Sequence, residues 1–252
     1  MSELWKNDTF INQNIIYLFN KEIFEYDMRD AGFSLTREFK LLPQDKIKKL
    51  NKLGKPTRKI RLGLCQRDDD VFKENLKTAF KNARKMFFEE NNLEDSDIIS
   101  IKKDAIFTCK RCDHQKFGEY IDFREKNQYS SYIRLGKKLE FYYSYDKLDV
   151  KGIGDDEIKL HTDYMLDFMR LYFKKMETDE PKNVIGFTKR FIDRYKSFQL
   201  PVGYYRQFDT KSNFVAIDDD TLYMEYPEDW KENLDISFNY FTILLKLIKI
   251  PL

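Results

Sequence analysis

Residues Ile23–Leu35 read IFEYDMRDAGFSL: an apolar, aromatic strand pattern ends on Asp27 and turns directly into a predicted helix. A second stretch, DIISIKKDAIF (Asp97–Phe107), predicts two short buried strands around Lys102-Lys103, with Asp104 just past the turn. Because an ionised carboxylate is costly to bury without a partner, a solvated strand edge or a helix cap explains either aspartate alone. The occurrence of two such aspartates, on the two most apolar strand segments of the chain, indicates that they share a function.

Adjacent strands would hold the two carboxylates a few ångströms apart, where they repel unless a cation lies between them. Magnesium suits such a place, since it prefers oxygen ligands, takes one or two carboxylates and fills its shell with water and substrate phosphates. Two such ions about 4 Å apart can activate an attacking hydroxyl and stabilise a leaving pyrophosphate. The pattern therefore predicts a Mg²⁺ site, with Mn²⁺ as a possible substitute, at Asp27 and Asp104.

Composition places the chain among ordinary globular proteins. Its 252 residues are enough for one sizeable unit or a main domain with an appended lobe. Hydrophobic residues at 42% and charged residues at 35% are typical of a packed core with a polar surface. Because the formal net charge is only +2, a nucleic-acid surface would require local segregation of Lys and Arg.

Cysteine usage and the two ends of the sequence indicate a cytoplasmic protein, in the host cytoplasm if the chain is viral. The three cysteines, Cys65, Cys109 and Cys112, do not make a disulfide framework, and the first residues lack an apolar signal segment. The apolar tail FNYFTILLKLIKIPL is too short to span a bilayer and carries Lys246 and Lys249. We expect this tail to dock on the core, without a membrane partner.

The periodicity of the remaining segments predicts an α+β fold, in which a mostly antiparallel sheet packs against helices on one side. Strand patterns occur as a pair, NIIYLFN and EIFEYDM, around Asn20-Lys21, then in GEYIDF, SSYIRL and KLEFYYSY, and as a second pair in NFVAI and LYMEY. Helices are predicted over Asp30–Leu42, Asp69–Asn91, Ile158–Met176 and Pro181–Tyr195. We expect Asp30 to cap the first helix and Pro43 to stop it.

The basic stretch from Lys46 to Arg67 is interrupted by Gly54, Pro56 and Gly63, which predicts an exposed loop. Two interpretations remain open. Charge runs are usually solvated faces, but a basic loop can also bind phosphates with salt-dependent affinity.

Three segments resemble motifs of family B (phage and replicative) DNA polymerases. YDMRDAGFSL is similar to their first palm motif, an Asp after an apolar strand followed by a helix that contains a Ser. SIKKDAIF resembles their third palm motif, a hairpin with Asp-Thr-Asp at its tip. LDVKGI resembles the Lys-Gly segment that leads from palm to thumb, and all three occur in the family's order.

The resemblance implies a strongly reduced polymerase core that works as a template-directed nucleotidyltransferase. Residues 1–42 and 93–150 would form a palm-like sheet, 43–92 a basic fingers-like insertion, and 151–252 a thumb-like helical region with a C-terminal extension. Asp27 and Asp104 would bind metal, together with the backbone carbonyl of Met28. The basic residues that would neutralise an incoming triphosphate are Lys55, Arg58, Lys59, Arg61 and Arg67, with Arg84 and Lys81 on the following helix.

The implied partners are a primer–template, nucleoside triphosphates and a further protein subunit or a second copy, because so short a chain holds a primer–template poorly alone. The chain departs from the family at the hairpin, where Lys102 and Lys103 replace the first Asp and the middle residue. Gly32 and Phe33 replace the Tyr that excludes a ribose 2′-hydroxyl and the Pro after it. The sequence therefore leaves the template and the selected sugar open.

Two other functions compete with an active enzyme. Since Lys102 replaces a family Asp, the first alternative is a catalytically weak or inactive polymerase-like subunit that binds nucleic acid or a replication partner. Alternatively, the chain is an unrelated α+β binding protein with structural aspartates. Aromatic residues interleaved with cations over Glu119–Tyr145 either stack on unpaired bases or pack in the core.

Cys109, Cys112 and His114 in CKRCDH would need a fourth ligand, Cys65 or His161, to hold zinc. The alternative is a pair of reduced cysteines at a strand end. The acidic triplets at Asp68–Asp70 and Asp218–Asp220 are explained by a helix start and a hairpin turn.

Overall fold

The computed structural model has the predicted α+β architecture. It describes residues 2–145, 147–152, 166–197, 199–200, 217–218, 221–222 and 247. The chain divides into two compact units. Unit 1 contains residues 1–15 and 21–129, and unit 2 contains residues 16–20 and 130–252.

Unit 1 is built on a six-stranded antiparallel sheet with the strand order β1-β4-β5-β3-β7-β6. These strands are β1 (Thr9–Ile11), β3 (Ile23–Met28), β4 (Ile98–Lys102), β5 (Ala105–Thr108), β6 (Lys116–Phe117) and β7 (Ile121–Tyr129). Its helices are α1 (Ala31–Glu38), α2 (Gln44–Asn51), α3 (Lys55–Asp68) and α4 (Asp70–Glu90). All four helices lie between β3 and β4 in the sequence.

The central strand β3 alternates between two faces. Phe24, Tyr26 and Met28 belong to the core cluster that the sheet shares with the helices. Since successive side chains of a strand point to opposite faces, Glu25 and Asp27 lie on the face away from the helices. The helical core partner is α4, whose apolar stripe follows a 3.6-residue period. This helix was predicted over Asp69–Asn91, and the prediction is confirmed.

The basic stretch was predicted as a loop, and that prediction is wrong: it forms α2 and α3. Gly54 is the N-cap of α3, and Pro56 lies in its first turn. A proline there fits because its fixed φ suits a helix and its missing N–H has no helical acceptor. The two residues that indicated a loop therefore mark the start of a helix. Asp69 caps α4, since its carboxylate accepts a hydrogen bond from the Phe72 N–H at 2.9 Å.

Two local predictions around β3 are also wrong. The strand before it, β2 (Tyr17–Leu18), pairs with the strand Ser131–Leu135 of unit 2 and not with β3. The chain turns away at Asn20, which has a left-handed φ of 52°. Asp30 occupies the N-cap position of α1, but its side chain makes no capping hydrogen bond. The helix ends at Glu38, and Pro43 precedes α2.

Unit 2 contains a four-stranded antiparallel sheet with the order β10-β9-β8-β2. The other strands of this sheet are β8 (Ser131–Leu135), β9 (Leu139–Ser144) and β10 (Lys147–Lys151). Within the described part of unit 2, two helices follow, α5 (Asp167–Thr178) and α6 (Pro181–Lys196). Residues 158–165 of the predicted helix lie outside the described residues. A short strand pair, β11 (Ile217–Asp218) and β12 (Thr221–Leu222), overlaps the second predicted pair at Ile217 and Leu222, and the other residues of that prediction lie outside the described residues.

Of the apolar tail, only Leu247 belongs to the described residues. It is buried in the unit 2 core, and its carbonyl accepts a hydrogen bond from the Tyr172 hydroxyl at 2.9 Å.

The division into units differs from the predicted domains. Strands β8 to β10 belong to unit 2, whereas the prediction placed them with the first sheet. The predicted insertion, residues 43–92, shares the unit 1 core through Leu62 of α3 and Phe72 and Phe87 of α4. Amphipathic helices must bury their apolar stripe, and the helices of residues 43–92 bury theirs against one face of the unit 1 sheet.

Gly118 is predicted to be intolerant of a side chain. It has a φ of +62°, and a Cβ there would lie 2.0 Å from a carboxylate oxygen of Glu38. Because that carboxylate accepts the N–H groups of Glu119 and Tyr120 at 2.9 and 2.7 Å, it cannot move without losing both bonds. Gly118→Ala should therefore lower the free energy of unfolding by about 1–3 kcal/mol in urea denaturation.

Gly63→Ala is the matched control. Gly63 lies inside α3, with no atom within 4 Å of an added Cβ. Alanine there should raise the free energy of unfolding by about 0.5–1 kcal/mol. An equal effect of the two substitutions would contradict this account of Gly118.

Candidate functional site

The structure brings Asp27 and Asp104 to the same end of two neighbouring strands. Asp27, on β3, lies directly opposite Ala105, the first residue of β5. The main-chain N–H of Met28 donates to the carbonyl of Asp104 at 3.0 Å. Neighbouring strands are about 4.8 Å apart, so the two aspartates belong to one local site.

Asp104 lies at the tip of the β4–β5 hairpin. Lys102 pairs with Ala105, which leaves Lys103 and Asp104 as a two-residue turn. Lys103 has a left-handed φ of 57°, a conformation that costs a residue with a Cβ roughly 1–2 kcal/mol. The neighbouring structure must stabilise this turn, and two groups do so. The N–H of Lys103 donates to the Asp8 carbonyl at 2.7 Å, and its carbonyl accepts from Arg84.

Arg84 was predicted to contact phosphates, but the structure gives it another role. Its side chain is 0% exposed, so it cannot reach a substrate. The guanidinium donates to the Trp5 carbonyl at 2.9 Å, the Lys103 carbonyl at 2.8 Å and the Asp8 carboxylate at 2.8 Å. Burial lowers the pKa of Arg84, and the carboxylates of Asp8 and Asp104 oppose that shift. Arg84 thus fixes the hairpin tip from inside the core.

Burial and neighbouring charges act on Asp104. Burial raises the pKa of Asp104 above its ordinary value, and the negative charge of Asp27 raises it further. The positive charges of Lys103 and Lys59 act in the opposite direction. A carboxylate that is disfavoured by burial and by a like charge is the kind of group that a divalent cation stabilises.

A row of residues crosses the sheet on the face away from the helices. Directly opposite residues of antiparallel strands share a face. From β1 to β7, the paired residues in this row are Thr9, Lys102, Ala105, Asp27 and Arg124. Lys102 and Arg124 therefore flank the Asp27 position with positive charge. Sequence reasoning missed Arg124, although the alternation of buried Ile121 and Phe123 with polar neighbours indicates its face.

The predicted phosphate-binding cations on α3 do not form one group. Lys55 and Lys59 are one turn apart and share a side of the helix, whereas Arg61, two residues from Lys59, lies on the other side. Arg58 is ion-paired with Asp30 at 2.5 Å, and Arg67 pairs with Asp68 at 2.8 Å. On α4, Lys81 lies one turn before Arg84. Of these cations, we place Lys59 at the site because its charge acts on Asp104.

The donor set fits a magnesium ion that substrate completes. It consists of two carboxylates next to exposed cations, and the resemblance implies the carbonyl of Met28, the last residue of β3, as a further ligand. Within the described ranges, no group of three His, Cys, Asp or Glu side chains has the geometry of a metal site. A closed structural site requires more protein ligands. Mg²⁺, in contrast, binds through one or two carboxylates and takes its other ligands from water and phosphates.

The cysteines have other surroundings. All three are free thiols. Cys112 is buried, and its N–H donates to the Tyr26 hydroxyl at 2.7 Å. Burial raises the pKa of Cys112 to about 12 and also raises that of Cys109, so both thiols stay protonated at neutral pH. His161, one suggested fourth zinc ligand, lies outside the described residues.

The aromatic stretch over Glu119–Tyr145 is mainly a core element. The buried tyrosines in it are Tyr129, Tyr132, Tyr142 and Tyr143. Tyr120 is half-buried at a cleft, and Tyr145 is 84% exposed. Core packing therefore explains most of these residues, and Tyr120 and Tyr145 remain accessible for stacking.

The fold and the site together define an α+β protein in which the central strand and a neighbouring hairpin of one antiparallel sheet present two interacting carboxylates. The family model described as Bacteriophage PBS1 gene 130 protein matches residues 1–252, so the chain belongs to this phage protein family. A comparison with curated proteins finds no match. In the part of the chain that the structure describes, no helix is long and apolar enough to cross a membrane.

Replacing Arg84 should be strongly destabilising. Arg84→Met keeps the aliphatic stem but leaves two carbonyls and the Asp8 carboxylate without their donor. We expect a loss of about 3 kcal/mol in the free energy of unfolding, measured by urea denaturation. Lys77→Met on the same helix is the control, because Lys77 is exposed and weakly paired with Glu74. A loss below about 1 kcal/mol for Arg84→Met would contradict the tethering role.

Asp104→Asn should stabilise the protein at neutral pH. The folded state raises the pKa of Asp104, so its ionisation costs stability as the pH rises through that pKa. The asparagine variant avoids this cost. Its melting temperature should therefore exceed that of the wild type at pH 7, without metal, and the difference should shrink as the pH falls to about 4. Asp113→Asn, in an exposed loop, should show no such pH dependence. A pH-independent loss of stability in Asp104→Asn would contradict the proposed repulsion.

Proposed function

We propose that this phage protein is a template-directed nucleotidyltransferase, a small polymerase-like palm that extends a primer 3′-hydroxyl with nucleoside triphosphates. The observation that carries the proposal is the pairing of β3 with β5. It puts Asp27 beside Asp104, whose pKa is raised above its ordinary value first by burial and then by the negative charge of Asp27.

The topology around the two aspartates supports the proposal. Strands β3, β4, β5 and β7 lie in the order β4-β5-β3-β7, and the helices connect β3 to β4. This is a split β-α-β arrangement completed by a hairpin. In this arrangement Asp27 lies at the end of the central strand and Asp104 at a hairpin tip. The resemblance to family B polymerases implies carboxylates at these two positions.

In the proposed mechanism, Asp27, Asp104 and the Met28 carbonyl would hold Mg²⁺ or Mn²⁺. The ions would activate the 3′-hydroxyl of the primer and would neutralise negative charge on the leaving pyrophosphate. The protein contributes fixed positive charge: Lys59 and Lys103 act on Asp104, and Lys102 and Arg124 flank Asp27 on the sheet. Such preorganised cations stabilise charge that develops on transferring phosphates.

A second candidate function is a nucleic-acid-binding subunit with little catalysis. It is favoured by the absence of a third acidic ligand near Asp27 and Asp104 among the described residues. It is also favoured by Lys102, which faces the site from β4 where the polymerase motif has an aspartate. In that case the flanking cations would bind the phosphate backbone without promoting its extension.

We also propose that the protein acts with a partner chain in the infected host. Electrostatic contacts from one small unit would hold a primer–template weakly, so we include a further subunit or a second copy of the chain. The proposed site of action is the cytoplasm of the infected host.

Primer extension on an annealed primer–template tests the proposal. Wild type should extend the primer with Mg²⁺ or Mn²⁺, and Asp27→Ala and Asp104→Ala should each reduce the rate by at least about a thousandfold, the scale of losing a principal charge-stabilising group. Asp113→Ala is the matched control and should retain activity.

The other outcomes separate the alternatives. Extension that survives both aspartate substitutions removes the two-carboxylate mechanism. Salt-dependent binding of the primer–template without extension favours the binding subunit. Absence of binding at low salt favours an unrelated α+β binding protein.

A further inference from the structure

A cleft of about 410 Å³ opens in unit 1 beside the end of β3. It lies between α1 and the segment that carries β6 and the start of β7, and neither Asp27 nor Asp104 lines it. Its cationic and aromatic lining residues are Arg29, Phe33, Arg37, Arg58, Lys116 and Tyr120. This volume is in the range of sites for small ligands.

One wall of the cleft is a ladder of alternating guanidinium groups and aromatic rings. The Arg58 guanidinium lies 4.4 Å from the centre of the Phe33 ring, and the Arg37 guanidinium lies 5.5 Å from the same ring. Arg37 also covers the Tyr120 ring at 3.6 Å. Nucleobases stack on flat guanidinium and aromatic surfaces of this kind. Because Phe33 is buried, the surface open to a base is that of Arg37 and Tyr120.

Contacts behind the wall hold it in place. Asp30 is ion-paired with Arg58 at 2.5 Å, and both side chains are mostly buried. On the other side, the Glu38 carboxylate accepts the N–H groups of Glu119 and Tyr120. The wall is therefore preorganised, which reduces the entropy lost when a ligand binds.

The rim of the cleft is cationic and exposed. Arg29 and Lys116 both line it, and neither makes an ion pair within the described residues. The lining also includes the carboxylates of Glu119 and Asp122. A nucleotide matches this mixed lining, because its phosphate can bind the cations while its amino or hydroxyl groups donate to the carboxylates.

A further donor in the wall is unsatisfied. The Nε atom of Arg58 is buried and has no hydrogen-bond partner in the described part of the molecule. Such groups are rare in folded proteins and are commonly satisfied by water or a ligand.

We propose that this cleft binds one nucleotide unit, with the phosphate on Arg29 and Lys116 and the base against the Tyr120–Arg37 stack. The nucleotide can belong to an unpaired strand or be free in solution. Arg29 follows Asp27 by two residues, and its N–H donates to the Asp122 carbonyl at 2.9 Å, so the cleft adjoins the carboxylate site. The inference extends the proposed function by naming where a strand would contact the protein, and binding at the cleft needs no catalysis.

The test is fluorescence anisotropy with a short fluorescein-labelled oligothymidylate, and with unlabelled thymidine monophosphate as competitor. Tyr120→Ala and the double variant Arg29→Ala/Lys116→Ala should each weaken oligonucleotide binding about tenfold or more. The double variant should also reduce the salt dependence of binding, because two phosphate contacts are lost. Tyr120→Phe, which keeps the ring, and Lys73→Ala, an exposed cation on α4, should bind like the wild type.

Asp27→Asn separates this inference from the proposed enzyme, since it should abolish extension and leave oligonucleotide binding unchanged. Weak competition by thymidine monophosphate identifies a strand as the ligand, and competition as strong as that of unlabelled oligothymidylate identifies the free nucleotide; both support a nucleotide site. Failure of both probes to bind, equal binding by all variants, or preferential binding of a polyglutamate peptide would each overturn it.

Discussion

The buried guanidinium of Arg84 is the contact on which the arrangement of the site depends. It joins the carbonyl of Lys103 at the hairpin tip to the carbonyl of Trp5 and the carboxylate of Asp8. A buried charge is stable only when its hydrogen-bonding capacity is met, so these partners have little freedom to move. The strained turn at Lys103 is held in this way, and Asp104 is held with it.

That constraint explains how a short chain can bring two like charges together. Asp104 would otherwise turn towards solvent, because burial and the nearby Asp27 both disfavour its ionised form. The fold instead fixes the main chain on both sides, through the Met28 hydrogen bond and the Arg84 tether. Cations at Lys59 and Lys103 offset part of the repulsion. A divalent ion with a phosphate ligand would relieve the repulsion that remains between the two carboxylates.

The cleft and the carboxylate site share one structural origin, the junction of β3 with α1. Asp27 ends the strand, Arg29 follows it, and Asp30 turns the chain into the helix with a left-handed φ of 49°. Because the Asp30 side chain pairs with Arg58 instead of capping α1, the same short segment anchors α3. Four residues thus connect the metal-ligand candidates to the cationic cleft.

Strand and helix periodicity in the sequence was sufficient to predict β3, β4, β5, α4 and the α+β class, because each element buries a regular apolar face. The loop assigned to Lys46–Arg67 was wrong because glycine and proline mark helix starts as well as loops. The predicted hairpin of β2 and β3 was wrong because β2 pairs with β8, which is distant in sequence. Neighbouring positions in the sequence do not reveal such long-range pairing. Arg84 was misassigned for a related reason. Its charge is visible in the sequence, but its burial and the three oxygens that it binds come from distant segments.

Joint binding of divalent cations by Asp27 and Asp104 is tested without a substrate by a Mn²⁺ titration that follows the electron paramagnetic resonance signal of the free ion. We expect Mn²⁺ uptake by the wild type and by Asp113→Asn, with affinity reduced about tenfold or more in both Asp27→Asn and Asp104→Asn, since each carboxylate would be a direct ligand. Equal uptake by the wild type and the two variants, or no uptake by any of them, would contradict it.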